Sequence, residues 1–238
     1  AMFATGRAWE QVRNSIAYPG LPVTVVGSHG GLSVGEDGAT HQCNEDLNNM
    51  RVLPGMTVVV PCDGHEMTLA TEALLNLNGP SYLRLGRMAV DNVTDEMPGY
   101  KFELGKGVTM RSGGDVTVIA CGLMVQEALK AADIMAAGGV SVRVIDMDTI
   151  KPLDEALVLQ AARETGAIVT SEEHSIVGGL GAAVCEYLSQ ACPVPVVRHG
   201  VEDCFGRSGP AKKVLAAYGL TAEGLAEKVR LAVSLKNR

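Results

Sequence analysis

The 238-residue chain is 47% hydrophobic and 20% charged, a composition that suits one large globular domain or two smaller ones. Its formal charge of −7 excludes a nucleic-acid partner, which needs a basic face, and aromatics at 4% leave the core to Val, Leu, Ile, Ala and Met. No stretch is long and apolar enough to span a bilayer and no signal sequence is recognisable; Cys43, Cys62, Cys121, Cys185, Cys192 and Cys204 fall at no metal-ligand spacing, so reduced, buried thiols in a cytoplasmic protein are expected.

The chain opens inside a helical pattern over residues 3–17, with Ala8, Trp9, Val12 and Ile16 at helical spacing. A domain seldom starts within a helix, so a truncated or incompletely represented subunit is expected. Val23, Val25 and Val26 mark a strand over 21–26 that suits a buried parallel sheet. The segment 28–46 then gathers two histidines, four carboxylates and four glycines directly after that strand. Glycines there free the backbone to turn and to approach a ligand, and in an open α/β sheet this is the edge where ligands bind. A solvated Gly-rich turn is the plainer alternative.

A buried strand over 56–63 is closed by Pro61 and Asp63. Asp63 reads as the N-cap of a helix with Glu66 as its capping-box partner, and Leu69, Ala70, Ala73, Leu74 and Leu77 form its apolar face. Asn78-Gly79-Pro80 stops it, and a strand over 81–85 delivers Arg84 and Arg87 to the same sheet edge. Residues 88–114 break every period and read as a linker, which limited proteolysis should cut to leave a stable C-terminal domain.

From residue 115 the pattern alternates. Strands are predicted over 115–121, 141–146, 167–171 and 194–198, and helices over 125–137, 154–164, 182–189, 212–217 and 222–234. That order implies a mainly parallel sheet with right-handed crossovers. Gly178-Gly-Leu-Gly181 before a helix is a weak phosphate-cradle signal and reads better as close strand-to-helix packing. Glu172-Glu173-His174 reads as a polar loop at the sheet edge.

The run His29-Gly-Gly-Leu-Ser-Val-Gly-Glu-Asp-Gly-Ala-Thr-His41-Gln resembles the signature of transketolases. Met2-Phe-Ala-Thr-Gly-Arg-Ala-Trp-Glu-Gln, Met50-Arg-Val-Leu-Pro-Gly-Met and Gly79-Pro-Ser-Tyr-Leu-Arg-Leu-Gly-Arg87 fit the same family, and the chain looks most like the C-terminal subunit of transketolases split into two polypeptides. The resemblance implies an α/β fold: residues 1–87 as the C-terminal part of a pyrimidine-binding domain, 88–114 as the linker, and 115–238 as a transketolase C-terminal domain with a mainly parallel sheet. Cys43-Asn44 departs from the small or aliphatic residues expected there.

Transketolases move a two-carbon ketol unit between sugar phosphates with thiamine diphosphate. The resemblance therefore implies that His41 acts on the donor's carbonyl or C1 hydroxyl and that Asp37 binds the sugar's C2 hydroxyl. It implies that His29 and Arg87 reach the substrate phosphate, and that Phe3 stacks on the aminopyrimidine ring. Glu36 is expected to brace the loop. The glutamate that activates the cofactor is expected upstream of Ala1. Mg²⁺ or another divalent metal is expected on a diphosphate-binding N-terminal subunit or domain, in a homodimer or heterotetramer. Deoxyxylulose-phosphate synthases, which usually lack a histidine at the position of His29, 2-oxoacid dehydrogenase β subunits and a non-catalytic dimerisation or regulatory module remain as alternatives.

Overall fold

The computed structural model describes residues 1–236. It contains two sheets. The first has the order β1-β3-β2-β7, built from β1 (Thr24–Gly27), β2 (Thr57–Val59), β3 (Ser81–Arg84) and β7 (Thr149–Lys151). The second has the order β4-β6-β5-β8-β9, built from β4 (Val108–Arg111), β5 (Val116–Ala120), β6 (Val142–Asp146), β8 (Ile168–Ser175) and β9 (Val196–Val201). Pairing is parallel except at β7 on β2 and β4 on β6.

The α/β character and the mainly parallel second sheet are as expected from the alternating pattern. Three local expectations change. Residues 88–114 carry β4, whose four residues sit among glycines that hid its period. β7 belongs by sequence to the second half but joins the first sheet, where Val58 faces Lys151 and Val59 faces Thr149. And Val26 of β1, an edge strand, and Val23 just before it are exposed rather than buried.

Alternation along the strands explains the layers. In β5, Val116, Val118 and Ala120 face α4 (Met124–Ala137) and α8 (Ala222–Lys236), while Ile119 faces the other way. On that other side Ile119, Ile145 and Ile168 share one core with α5 (Glu155–Thr165), α6 (Leu180–Ala191) and the first-sheet residues Val58, Val60 and Tyr82. Val59 and Leu83, one position along, pack against Ala70 and Leu74 of α3 (Gly64–Leu75). One continuous apolar layer thus joins the sheets, and burial of that area is the main force holding them together.

The N-terminal helical segment has regular α-helix only at α1 (Trp9–Val12), between π-helical turns at Phe3–Arg7 and Arg13–Ala17. Asp63 caps α3 by accepting from the Glu66 N–H at 2.8 Å. The reciprocal half of the capping box is different: the Glu66 carboxylate accepts from the Cys62 N–H at 2.6 Å. A short helix missed by periodicity, α2 (Asp46–Arg51), follows the Gly-rich segment. Cys43, Cys62 and Cys121 are buried, Cys185 and Cys192 partly so, and Cys204 is exposed. No helix among the described residues is long and apolar enough to cross a membrane.

Candidate functional site

β1 and β3 end side by side, Gly27 opposite Arg84, and the segment from Ser28 folds over their C-terminal ends. His29 takes a left-handed backbone, φ 63°, a conformation that costs energy for any residue bearing a Cβ. Gly31 follows at φ 81°, where a Cβ would also collide with the Glu173 carboxylate. A 3₁₀ helix over Leu32–Asp37 comes next, with Leu32, Ser33, Val34 and Gly35 buried.

Three buried polar groups fix this turn. Glu173 accepts from the Ser33 N–H at 2.5 Å and from the Ser33 hydroxyl at 3.3 Å. Gln42 Nε2 donates to the carbonyls of Leu32, Gly35 and Arg207, at 3.3, 3.5 and 3.0 Å. Arg84 donates to Asp46 at 2.8 Å and to the Glu173 carbonyl at 2.8 Å. Asp46 also accepts from the Tyr82 hydroxyl at 2.7 Å. Burial works to raise the Asp46 carboxyl, but the Arg84 charge and these hydrogen bonds outweigh it and hold the group below the usual carboxylate range. Burial dominates at Glu173 and pushes it up to about 7, against the opposing Arg84 charge and Ser33 bonds.

The turn leaves His29, Asp37 and His41 on the surface of one cleft of about 290 Å³, lined also by Phe3, Ser28 and Val34. Phe3 meets His41 edge to face, with centroids 5.4 Å apart at 84°. The Arg7 guanidinium lies 4.8 Å from the Phe3 centroid, over the ring. His41 Nδ1 bonds the Thr40 hydroxyl at 3.0 Å, and His29 Nδ1 the Ser28 hydroxyl at 3.1 Å.

Four of the five residues singled out in the sequence, Phe3, His29, Asp37 and His41, are therefore brought together. Arg87 is not among the cleft's lining: it donates to the Val34 carbonyl at 2.5 Å and pairs with Glu36 at 2.7 Å. That bond is the first cause holding the exposed Glu36 carboxyl below its ordinary value. Arg84, expected beside Arg87 on the ligand edge, is instead buried in its ion pair with Asp46.

Family models decide the kinship. The transketolase pyrimidine-binding domain matches residues 1–92, and the transketolase C-terminal domain matches residues 105–225. The chain belongs to the transketolase family. It is 41% identical over 230 residues to a putative transketolase C-terminal section of Methanocaldococcus jannaschii, covering 96% of this chain and 72% of that protein. It is 43% identical over 238 residues to a 6-deoxy-6-sulfo-D-fructose transketolase subunit of Clostridium sp., covering 99% of this chain and 72% of the relative. A solved split-gene transketolase, described as an inactive β4 tetramer, superposes with a TM-score of 0.91 at 46% identity, over 98% of this chain and 74% of that one.

Within this transketolase-like subunit, the C-terminal region does more for the site than its sequence suggested. Glu172-Glu173-His174 is not a loop but the buried end of β8. Glu172 accepts from the Leu180 and Gly181 N–H groups, both at 2.8 Å, so the N-terminus of α6 already holds a carboxylate. A Cβ at Gly181 would crowd Thr170 and Arg198, as the packing reading expects. At Gly38, φ 75°, a Cβ would strike the Ser208 hydroxyl, so the loop before α7 (Ala211–Ala217) also presses on the transketolase signature segment. A separate cluster, Cys62, Glu66 and Asp146, has the composition of a metal site and lines no part of the cleft.

Proposed function

We propose that the chain works as the part of a transketolase that recognises sugar phosphates, in an enzyme moving a two-carbon ketol unit from a ketose phosphate to an aldose phosphate. The observation that carries this reading is the meeting of Phe3, His29, Asp37 and His41 on one cleft at the strand ends. Residues 1–87 would contribute this cleft and residues 115–238 the support beneath it, with 88–114 between them.

The cleft suits the ring end of thiamine diphosphate. At about 290 Å³, with an aromatic edge and two imidazoles, it has room for one heterocycle, and among the described residues no Lys or Arg lines it to meet a diphosphate. Phe3 would hold the aminopyrimidine, and a diphosphate-binding N-terminal subunit or domain would hold the diphosphate with Mg²⁺ or another divalent metal. The cofactor supplies a nucleophilic carbon.

The protein's own groups do the rest. An imidazole can give and take protons at oxygen, and His41, braced by Thr40, would serve the donor's carbonyl or C1 hydroxyl. Asp37 accepts a hydrogen bond from the sugar's C2 hydroxyl and so selects its configuration. His29 and Arg87 would take the phosphate. Arg87 would first have to exchange its Glu36 partner for that dianion.

The test uses the complete enzyme with its partner. His41→Ala and Asp37→Ala should leave cofactor affinity nearly intact while ketose-phosphate turnover falls by roughly two to four orders of magnitude. Unchanged turnover in the His41 variant would end the assignment, and consumption of a 2-oxoacid instead of a ketose phosphate would move the enzyme to another branch. Arg87→Ala should raise KM for phosphorylated donors with little change in kcat, and leave unphosphorylated donors untouched.

A further inference from the structure

Cys62 sits just after β2, Glu66 lies one turn into α3, and Asp146 ends β6 in the other sheet. The Cys62 sulfur and one carboxylate oxygen from each acid lie within 4.8 Å of one another, and all three side chains are buried. Glu66 is well supplied with donors: the Cys62 N–H at 2.6 Å on one oxygen and the Tyr100 hydroxyl on the other. Asp146 is not. It is 0% exposed, yet neither of its oxygens has a hydrogen-bond partner among the described residues. A buried carboxylate without donors is costly, and a proton or a cation relieves it.

We propose that Cys62, Glu66 and Asp146 form a binding site for a divalent cation of the zinc class, which pins the two sheets together. A thiolate with two carboxylates suits borderline-soft ions and disfavours Mg²⁺ and Ca²⁺, which take oxygen ligands. A dication facing three anionic ligands leaves a net charge of one, and the cation takes over the role of the protons that otherwise neutralise these buried groups. Tyr100 holds Glu66 from behind, as outer partners of metal ligands commonly do. Cys62 also lines a cavity of about 310 Å³ with Asp63, Gly86 and Gly122, which offers the ion a way in. The sheets already touch at this point, through Val60 N–H to the Asp148 carbonyl at 2.6 Å and Gly122 N–H to the Val60 carbonyl at 3.2 Å. On binding, the metal–sulfur bond replaces the S–H bond and the thiol proton passes to the buffer, with no change of oxidation state.

Co²⁺ is the probe, titrated into the full chain after chelation. One Co²⁺ per chain should bind, with a near-ultraviolet thiolate-to-cobalt charge-transfer band, release of at least one proton, displacement by Zn²⁺ and a rise in Tm. Cys62→Ser should abolish the band, while Cys121→Ser, at a buried thiol outside the cluster, should keep it. Asp146→Asn, which preserves shape and removes an unpartnered charge, should still fold and weaken Co²⁺ at least tenfold. The proposal is overturned by a band that survives Cys62→Ser, or by its absence both in the folded chain and after refolding in Co²⁺. In that second case a protonated-carboxyl infrared band, lost in Asp146→Asn, would show that a proton takes the cation's place.

Discussion

Through the Glu173 carboxylate the second sheet holds the backbone and hydroxyl of Ser33, in the turn carrying His29, Asp37 and His41. The raised pKa of Glu173 has a direct consequence for stability. An unfolded glutamate ionises near 4.5 whereas Glu173 folded does so at about 7, so between these values the folded chain holds the extra proton. This contribution is complete below 4.5 and is lost as pH rises to 7, on the order of 3 kcal/mol across the window. Urea midpoints of wild type and Glu173→Gln should diverge accordingly: relative to the variant, wild type weakens from pH 4.5 to 8. Parallel curves would mean that Glu173 titrates normally. At this scale the sequence shows what lies in one run and hides what meets across the fold. His29, Asp37 and His41 share a thirteen-residue motif, whereas Ser33–Glu173 and Glu66–Asp146 join residues far apart in the sequence, and an acid in a strand carries no signal of a partner so distant.

Long periodic elements were legible. α3, α4, α5 and α8 follow their apolar spacing, and Asp63 caps where the sequence puts it; Asp154, expected as the first helical residue, is the cap of α5. β4, β7 and α2 were not, because three to six residues carry too little period to stand out beside glycines and prolines. β7 alters the expected outcome of proteolysis. Residues around Pro98-Gly99 and Lys101 are exposed and irregular, so trypsin should cut at Lys101. The two pieces should nevertheless stay together, since β7 remains paired to β2 and both sheets share one core. Denaturing gels should show two fragments and size exclusion under native conditions one peak. A C-terminal fragment eluting alone would restore the picture of independent domains.

At the scale of the whole molecule, the proposed function makes the cleft one wall of a site completed by a partner. Among the described residues no cationic side chain lines the cleft, and β1 presents an open edge with Tyr18, Leu21, Val23 and Val26 exposed. Calorimetric titration of thiamine diphosphate and Mg²⁺ into the chain alone should therefore give no micromolar binding, and no turnover of sugar phosphates. Addition of the diphosphate-binding partner should restore both, and tight binding without it would mean that the cofactor site has been misassigned.

The β2–β7 pairing also sets a timetable for synthesis. Val58 and Val59 leave the ribosome well before their partners Lys151 and Thr149 have been made, an interval on the order of ten seconds at ordinary elongation rates. Throughout that interval the edge of a valine-rich strand, later shielded on both faces, stands open to any neighbouring nascent chain. The polysome, where copies stand at this stage side by side, is where that open edge most readily meets another of its own kind.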